Sequence, residues 1–245
     1  MANEYRIHPL PILRIYSDKG IFTYLNAYGE KFWFPVYSFY IEGAEKNLLV
    51  DTGCTAADMR KYSKFTSQAE DIVPFEDNLS KFGLSPQDID IVIQTHLHLD
   101  HFLNTRKCKN ATVIVQEDEL QFAYNPHPLF ARSYVKEWYE GVKFEPVKGN
   151  SEILPGINVI NLPGHTAGSQ GVAIATKAGT AVIAGFCSVD ETFGDKDDVS
   201  SPILVPGILV DSLKAYDSIV KIRQIADLIV PTHSDRFLNG EPIPS

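Results

Sequence analysis

The chain has 245 residues, 44% of them apolar and 22% charged, with a formal net charge of -9 at pH 7. This composition is ordinary for a globular protein with a sizeable core, and the acidic balance disfavours nucleic-acid binding, which draws on clustered Lys and Arg. A small-molecule partner is expected, and the apolar runs, such as residues 203–210 interrupted by Pro206 and Gly207, fall well short of the roughly 20 residues of a membrane span.

The amino-terminal residues show no basic stretch followed by an apolar segment and a cleavage site, so a cytoplasmic protein is expected. Cys54, Cys108 and Cys187 are odd in number and lack CxxC spacing, which argues for reduced thiols rather than a disulfide framework. With no internal repeat or low-complexity segment, residues 1–245 read as a single domain.

Residues 34–41 and 47–50 are rich in aromatic and branched side chains and read as two strands joined by a hairpin loop, the second ended by Asp51-Thr52-Gly53. Phe75, Leu79 and Phe82 have helical spacing, with Gly83 as the cap and Ser85-Pro86 as the stop. Residues 89–93 and 112–115 follow as strands, and a helix begins at Glu117 and must end at Asn125-Pro126-His127-Pro128. The segment 125–150 is the least readable, with a helical turn expected around Tyr134 to Tyr139.

Strands return at residues 157–160, 171–175 and 180–184. Asp211 or Ser212 can cap a helix reaching Ala226, with Leu213, Tyr216, Ile219 and Val220 expected on its apolar face, and residues 228–230 form the last strand. Two sets of strands, each with helices outside, predict an α/β sandwich of two sheets covered by helices. The acidic run 190–198 is expected to be a solvated loop, and the aromatics Phe22, Tyr24, Tyr28, Phe32, Trp33 and Phe34 to serve as core or as the lining of a pocket.

The chemistry concentrates in Thr95-His96-Leu97-His98-Leu99-Asp100-His101, directly after the strand at 89–93. On an extended segment His96, His98 and Asp100 share one face by period two, and a turn brings His101 in. Several neutral imidazoles and an ionised carboxylate packed together are badly desolvated unless a cation satisfies them. This donor set suits zinc, iron, manganese or nickel. His165, in a PGHTAGS segment, and His233, after Val230-Pro231-Thr232, stand at two further strand exits and are expected to join the cluster.

Taken together, LVDTG at 49–53, HLHLDH at 96–101, PGHTAGS at 163–169, the strand leading to Cys187 and the late His233 resemble the metallo-β-lactamase superfamily over most of the chain. The resemblance implies an αββα sandwich and two divalent metal ions, zinc before iron, manganese or nickel. It implies that His96, His98 and His165 hold the first ion and Asp100, His101 and His233 the second, with Asp100 the catalytic carboxylate. Asp51 recurs in the family as a residue that orients a histidine. FPVYS at 34–38 and the spacing from His101 to His165 look most like the N-acyl homoserine lactonases, the quorum-quenching enzymes, and the related pyridoxolactonases.

Two departures stand out against that resemblance. Where the hydrolases carry a carboxylate that bridges the metals, this chain has Gly185-Phe186-Cys187-Ser188, and one class of β-lactamases suggests Cys187 as a ligand of the second metal instead. The lactonase tyrosine three residues beyond that carboxylate is Val189 here. The implied reaction is hydrolysis of an ester, a lactone first, by metal-activated water. The alternatives are a thioesterase or β-lactamase, a mono-iron sulfur dioxygenase, or a metal-binding protein without turnover. A homo-oligomer is compatible with the sequence.

Overall fold

The computed structural model describes residues 4–63, 68–195, 198 and 200–244. In chain order its strands are β1 (Arg6–Asp18), β2 (Lys31–Glu42), β3 (Leu48–Val50), β4 (Gln68–Asp71), β5 (Ile91–Ile93), β6 (Thr112–Gln116), β7 (Phe144–Val147), β8 (Ser151–Leu154), β9 (Ile157–Asn161), β10 (Gln170–Thr176), β11 (Gly179–Ala184) and β12 (Leu228–Pro231). The helices are α1 (Ala56–Tyr62), α2 (Phe75–Ser80), α3 (Leu99–Phe102), α4 (Glu117–Tyr124) and α5 (Ser212–Ile225).

One sheet has seven strands in the order β4-β1-β2-β3-β5-β6-β7, the other five in the order β12-β11-β10-β9-β8. Both are mixed: β3, β5, β6 and β7 run parallel, as do β11 and β12, and the remaining pairs are antiparallel. Period-two alternation sorts their side chains into separate cores. Leu48, Val50, Ile93 and Ile114 face inward and meet Val172, Ile174, Ala181 and Ile183 of the other sheet. Leu49, Val92, Val113 and Val115 face outward under the first helical layer, and Ala173, Val182 and Ala184 face Ile219 and Ile222 of α5. Sheets buried on both faces need branched residues at every position, and each such side chain contributes about 1.5–3 kcal/mol on burial.

The sandwich expected from the sequence is present, with three local differences. The longest strand, β1, has Pro9 and Pro11 in its interior, which hid it. They are tolerated because β4 pairs only with Leu13 to Tyr16, leaving the proline stretch one neighbour, β2, and because the register shifts between Pro11 and Leu13.

The expected face of α5 holds at Ile219 and fails at its amino-terminal end. Leu213 is 77% and Tyr216 48% exposed, while Ala215, Ser218, Ile219 and Ile222 are buried. Ser218 occupies a core position because its hydroxyl donates to Pro163 O at 2.8 Å.

The acidic run exposes its described acidic side chains, as expected, but is tied down at its start, where Thr192 and Phe193 are buried. Asp190 pairs with Arg236 at 2.6 Å and accepts from the Ser234 hydroxyl at 2.7 Å; Lys196 and Asp197 lie outside the described residues.

The parallel neighbours β3, β5 and β6 discharge their carboxyl ends at one edge of the first sheet, which gathers the 51–53, 94–101 and 117–119 segments there. The second sheet delivers its exits to the same place: Gln170 N donates to Thr95 O at 2.9 Å and His233 N to Ser188 O at 3.0 Å.

Candidate metal centre

Strand β5 ends at Ile93, the chain bends at Thr95, and the non-helical stretch closes at His98, whose extended backbone angles of φ -69° and ψ 152° cap the single turn of α3. His96 and His98 therefore share a face, as period two requires. Asp100 does not share it, contrary to the expectation for an extended segment. The helix begins at Leu99, so Asp100 follows the helical turn and sides with its neighbour His101.

The result is two triplets. One potential donor atom from each of His96, His98 and His165 lies within 4.8 Å of the others, and the same holds for Asp100, His101 and His233. The triplets adjoin, with the His96 and His101 ring centroids 4.1 Å apart. These are the six residues singled out in the sequence, in the grouping that the resemblance implies.

The imidazoles are oriented from behind. His165 Nδ1 donates to Ile208 O at 2.6 Å, and His233 Nδ1 to Pro35 O at 2.8 Å. His101 Nδ1 meets Asp51 Oδ2 at 2.7 Å. Because a carbonyl or carboxylate oxygen only accepts, each Nδ1 carries the proton and each Nε2 keeps a lone pair for a ligand.

Asp51 is fully buried and also accepts from Gln94 Nε2 at 2.9 Å, Thr95 N at 2.8 Å and Thr95 Oγ1 at 2.7 Å. The Thr95 hydroxyl, having given its proton to Asp51, can accept from His96 Nδ1 at 3.1 Å. One carboxylate thus orients His101 directly and His96 through a hydroxyl.

Burial lowers the pKa of His98 to about 3, of His165 to about 4 and of His233 to about 3, and that of His96 well below the ordinary histidine value, with neighbouring imidazoles adding repulsion. His101 moves the other way: burial opposes its charge, but Asp100 and Asp51 outweigh it and raise the pKa. Asp100 is lowered even though burial pushes it up, because His101, His233 and His98 favour the anion. Four imidazoles that burial keeps neutral, beside an ionised carboxylate, are the protonation states a divalent cation requires, so the donor set fits metal.

Cys187 belongs to neither triplet. Its Sγ is turned toward Ile21 O at 3.7 Å, and burial raises the thiol pKa well above its usual value, with Asp100 adding to the shift. Phe186, which aligns with the bridging carboxylate of the related hydrolases, is buried with Phe193 and Ile219 against α5. Gly185 explains the tight passage: a Cβ there would collide with Gln170 O and Thr95 Cβ. Val189 is buried. Of the amino-terminal aromatics, Phe22 and Phe34 pack edge-on to His233 with centroids at 5.3 and 5.2 Å, while Tyr24 and Tyr28 are exposed.

The sequence reading did not pick out Glu119, Tyr134 or Tyr139. Glu119 is fully buried in the first turn of α4. It accepts from Leu97 N at 2.9 Å, from the Tyr134 hydroxyl at 3.2 Å and from Gly168 N at 3.1 Å. Tyr139 donates to Leu97 O at 3.1 Å. A glutamate beside two other acids at a helix start looks like a solvated residue favoured by the helix dipole; the signal available was Gly168, whose missing Cβ lets the Glu119 backbone come into contact.

The chain belongs to the metallo-β-lactamase superfamily: the family's sequence pattern matches residues 32–233. Among individual proteins it is 27% identical over 230 residues to an N-acyl homoserine lactonase of a Bacillus species, covering 90% of this chain and 88% of that one. It is 26% identical over 213 residues to the N-acyl homoserine lactonase AiiB of Agrobacterium fabrum, covering 79% of this chain and 75% of that one. A Bacillus thuringiensis AiiA variant with N-decanoyl-L-homoserine at its active site superposes with a TM-score of 0.76 at 22% identity, over 96% of this chain and 95% of that one. The dizinc quorum-quenching lactonase AidC superposes with a TM-score of 0.69 at 17% identity, over 96% and 90%. The fold is the metallo-β-lactamase fold.

Proposed function

We propose that this chain is a metal-dependent lactonase that opens a lactone of the N-acyl homoserine lactone class, with two divalent ions, zinc first, held by the two triplets. The carrying observation is the adjacency of a three-histidine triplet and an aspartate-containing triplet at the mouth of both sheets. The similarity to lactonases along about nine-tenths of the chain directs the choice of ester. Because β5 with α3 comes from one sheet and the His165 and His233 exits come from the other, we read residues 1–245 as a single domain. We further propose a cytoplasmic protein acting on a small molecule rather than a nucleic acid; no helix among the described residues is long and apolar enough to cross a membrane.

When bound, the ions supply a water acidic enough to ionise near pH ~7 and positive charge for the developing oxyanion. The protein's own groups do the rest. His96, His98 and His165 would hold the first ion, with the ring of His96 oriented by Thr95, that of His165 by Ile208, and that of His98 packed against Tyr134. Asp100, ionised and 23% exposed at its side chain, is the group that can take a proton at the cavity and return it to a leaving oxygen. Phe22 and Phe34 keep one wall beside His233 apolar, which strengthens the electrostatics of the site.

A thioester is a second reading, favoured by Val189 where the lactonases carry a phenol. A thiolate, with a parent pKa of about 8.5, leaves without the proton donor that an alkoxide needs. Zinc-loaded protein assayed against acyl homoserine lactones, aryl lactones, a glutathione thioester and a cephalosporin separates the readings. Turnover of a lactone above the others is the expected result; turnover of the thioester alone replaces the lactonase reading, and no turnover with two zinc ions bound removes both.

A further inference from the structure

The triplet His96, His98 and His165 joins two chain segments that leave different sheets, and something must hold the segments in register. Leu97, between the two histidines of the first segment, has both of its peptide groups engaged: its N–H donates to Glu119 Oε1 at 2.9 Å and its carbonyl accepts from Tyr139 Oη at 3.1 Å. Gly168, three residues beyond His165, donates to the other oxygen, Glu119 Oε2, at 3.1 Å. Tyr134 donates to Oε1 at 3.2 Å and lays its ring against His98, with centroids 5.3 Å apart. Glu119 and Leu97 are fully buried.

We propose that Glu119 is the positioning residue of the first metal triplet, its carboxylate tying the Leu97 and Gly168 peptides together so that His96, His98 and His165 converge, with Tyr139 as its partner on the other side of Leu97. This rests on the reading that the triplet holds metal. Three donors aim at two carboxylate oxygens, and the two peptide donors, Leu97 and Gly168, stand on the segments that carry the first triplet; His101 and His233 are oriented instead through Asp51 and Pro35. Glu119→Gln keeps the shape of the side chain but turns an amide N–H₂ toward at least one of those donors, which separates the segments without opening a cavity.

The test is stepwise zinc titration of the full chain against a competing chelator, with the visible spectrum of the cobalt-substituted protein as a geometric readout. Glu119→Gln should weaken one of the two binding steps by roughly 10- to 100-fold, the range for lost outer partners of metal ligands, change the cobalt bands of that step, and leave the other step within about twofold. Tyr139→Phe should shift the same step to a smaller degree, and it keeps the proposal testable if Glu119→Gln does not fold. Ile219→Val, in the core under α5, should lower thermal stability and leave both steps unchanged. Equal weakening of both steps, or unchanged steps in Glu119→Gln and Tyr139→Phe, overturns the assignment of Glu119. Wild-type protein that takes up no zinc overturns the metal reading itself.

Discussion

The two triplets are neighbours built from different materials. The first consists of three imidazoles and carries no anion of its own; its order is supplied by contacts to peptide groups and hydroxyls, from Ile208, Thr95 and, through Leu97 and Gly168, Glu119. The second contains Asp100 and has Asp51 directly behind His101. The imidazoles divide accordingly: those of the first triplet and His233 of the second have lowered pKa values, whereas His101, which faces both carboxylates, is raised. Burial decides the sign at the four lowered histidines, and only at His101 do Asp100 and Asp51 together overturn it.

The largest effect should come from removing a ligand. His98→Ala is expected to lose one of two zinc equivalents and to reduce lactone turnover well beyond the roughly 100-fold that losing an outer partner costs, with the protein still folded because His98 is only partly buried and belongs to none of the three apolar cores. Elemental analysis and an activity assay check both; full zinc content in the variant would break the comparison at its root.

Asp51→Asn should come next, weakening zinc binding at the second triplet by roughly 10- to 100-fold and at the first by less, since only Thr95 carries the effect to His96. Equal loss at both triplets in a chelator titration would show that Asp51 serves the site as one unit.

A smaller, graded effect concerns pH. His98, His165 and His233 have folded pKa values of about 3, 4 and 3, and His96 is also lowered, against an unfolded value of about 6.5. In the window between, the unfolded chain binds more protons, so the stability of metal-free protein falls as pH drops from about 6.5 toward 4, by at most about 1.4 kcal/mol per pH unit for each group. His101, raised in the folded state, opposes this trend only above about pH 6.5, and Glu119, which burial raises, opposes it on the acid side. Thermal melts of metal-free protein should show a lower midpoint at pH 5 than at pH 7.5; the reverse order would mean that the Asp51 and His101 pair outweighs the four lowered histidines.

The smallest effect is expected at Cys187. Its thiol faces Ile21 O and lies in neither triplet, so Cys187→Ala should keep two zinc equivalents bound. Loss of one equivalent would make the thiol a ligand of the second ion and sharpen the difference between the triplets.

The fold was largely legible because buried two-sided strands such as β3, β5 and β11 write their branched residues continuously, and Asp211 marks the start of α5. It was illegible where a local rule was met by an unusual partner: Pro9 and Pro11 sit in a strand stretch with one neighbour, and Ser218 is buried because Pro163 O accepts its proton. His96, His98, Asp100 and His101 could be read because dense histidines declare themselves, and His165 and His233 because they stand at strand exits in segments that resemble the family. Glu119, Tyr134 and Tyr139 could not, because their role is created by chain segments that meet only in the folded protein; the two tyrosines lie in the stretch whose sequence pattern is weakest, and Glu119 in a helix that could be read but whose buried side chain could not. Asp51 was the exception among supporting residues, visible through its LVDTG setting and found bonded to His101.

The central claim is that two adjacent triplets hold two ions. Anomalous diffraction at the zinc edge from crystals of the zinc-loaded protein tests it most directly. The account predicts two peaks, one about 2.0–2.1 Å from nitrogens of His96, His98 and His165 and one at comparable distance from Asp100, His101 and His233; a single peak, or zinc bound elsewhere on the chain, would contradict it.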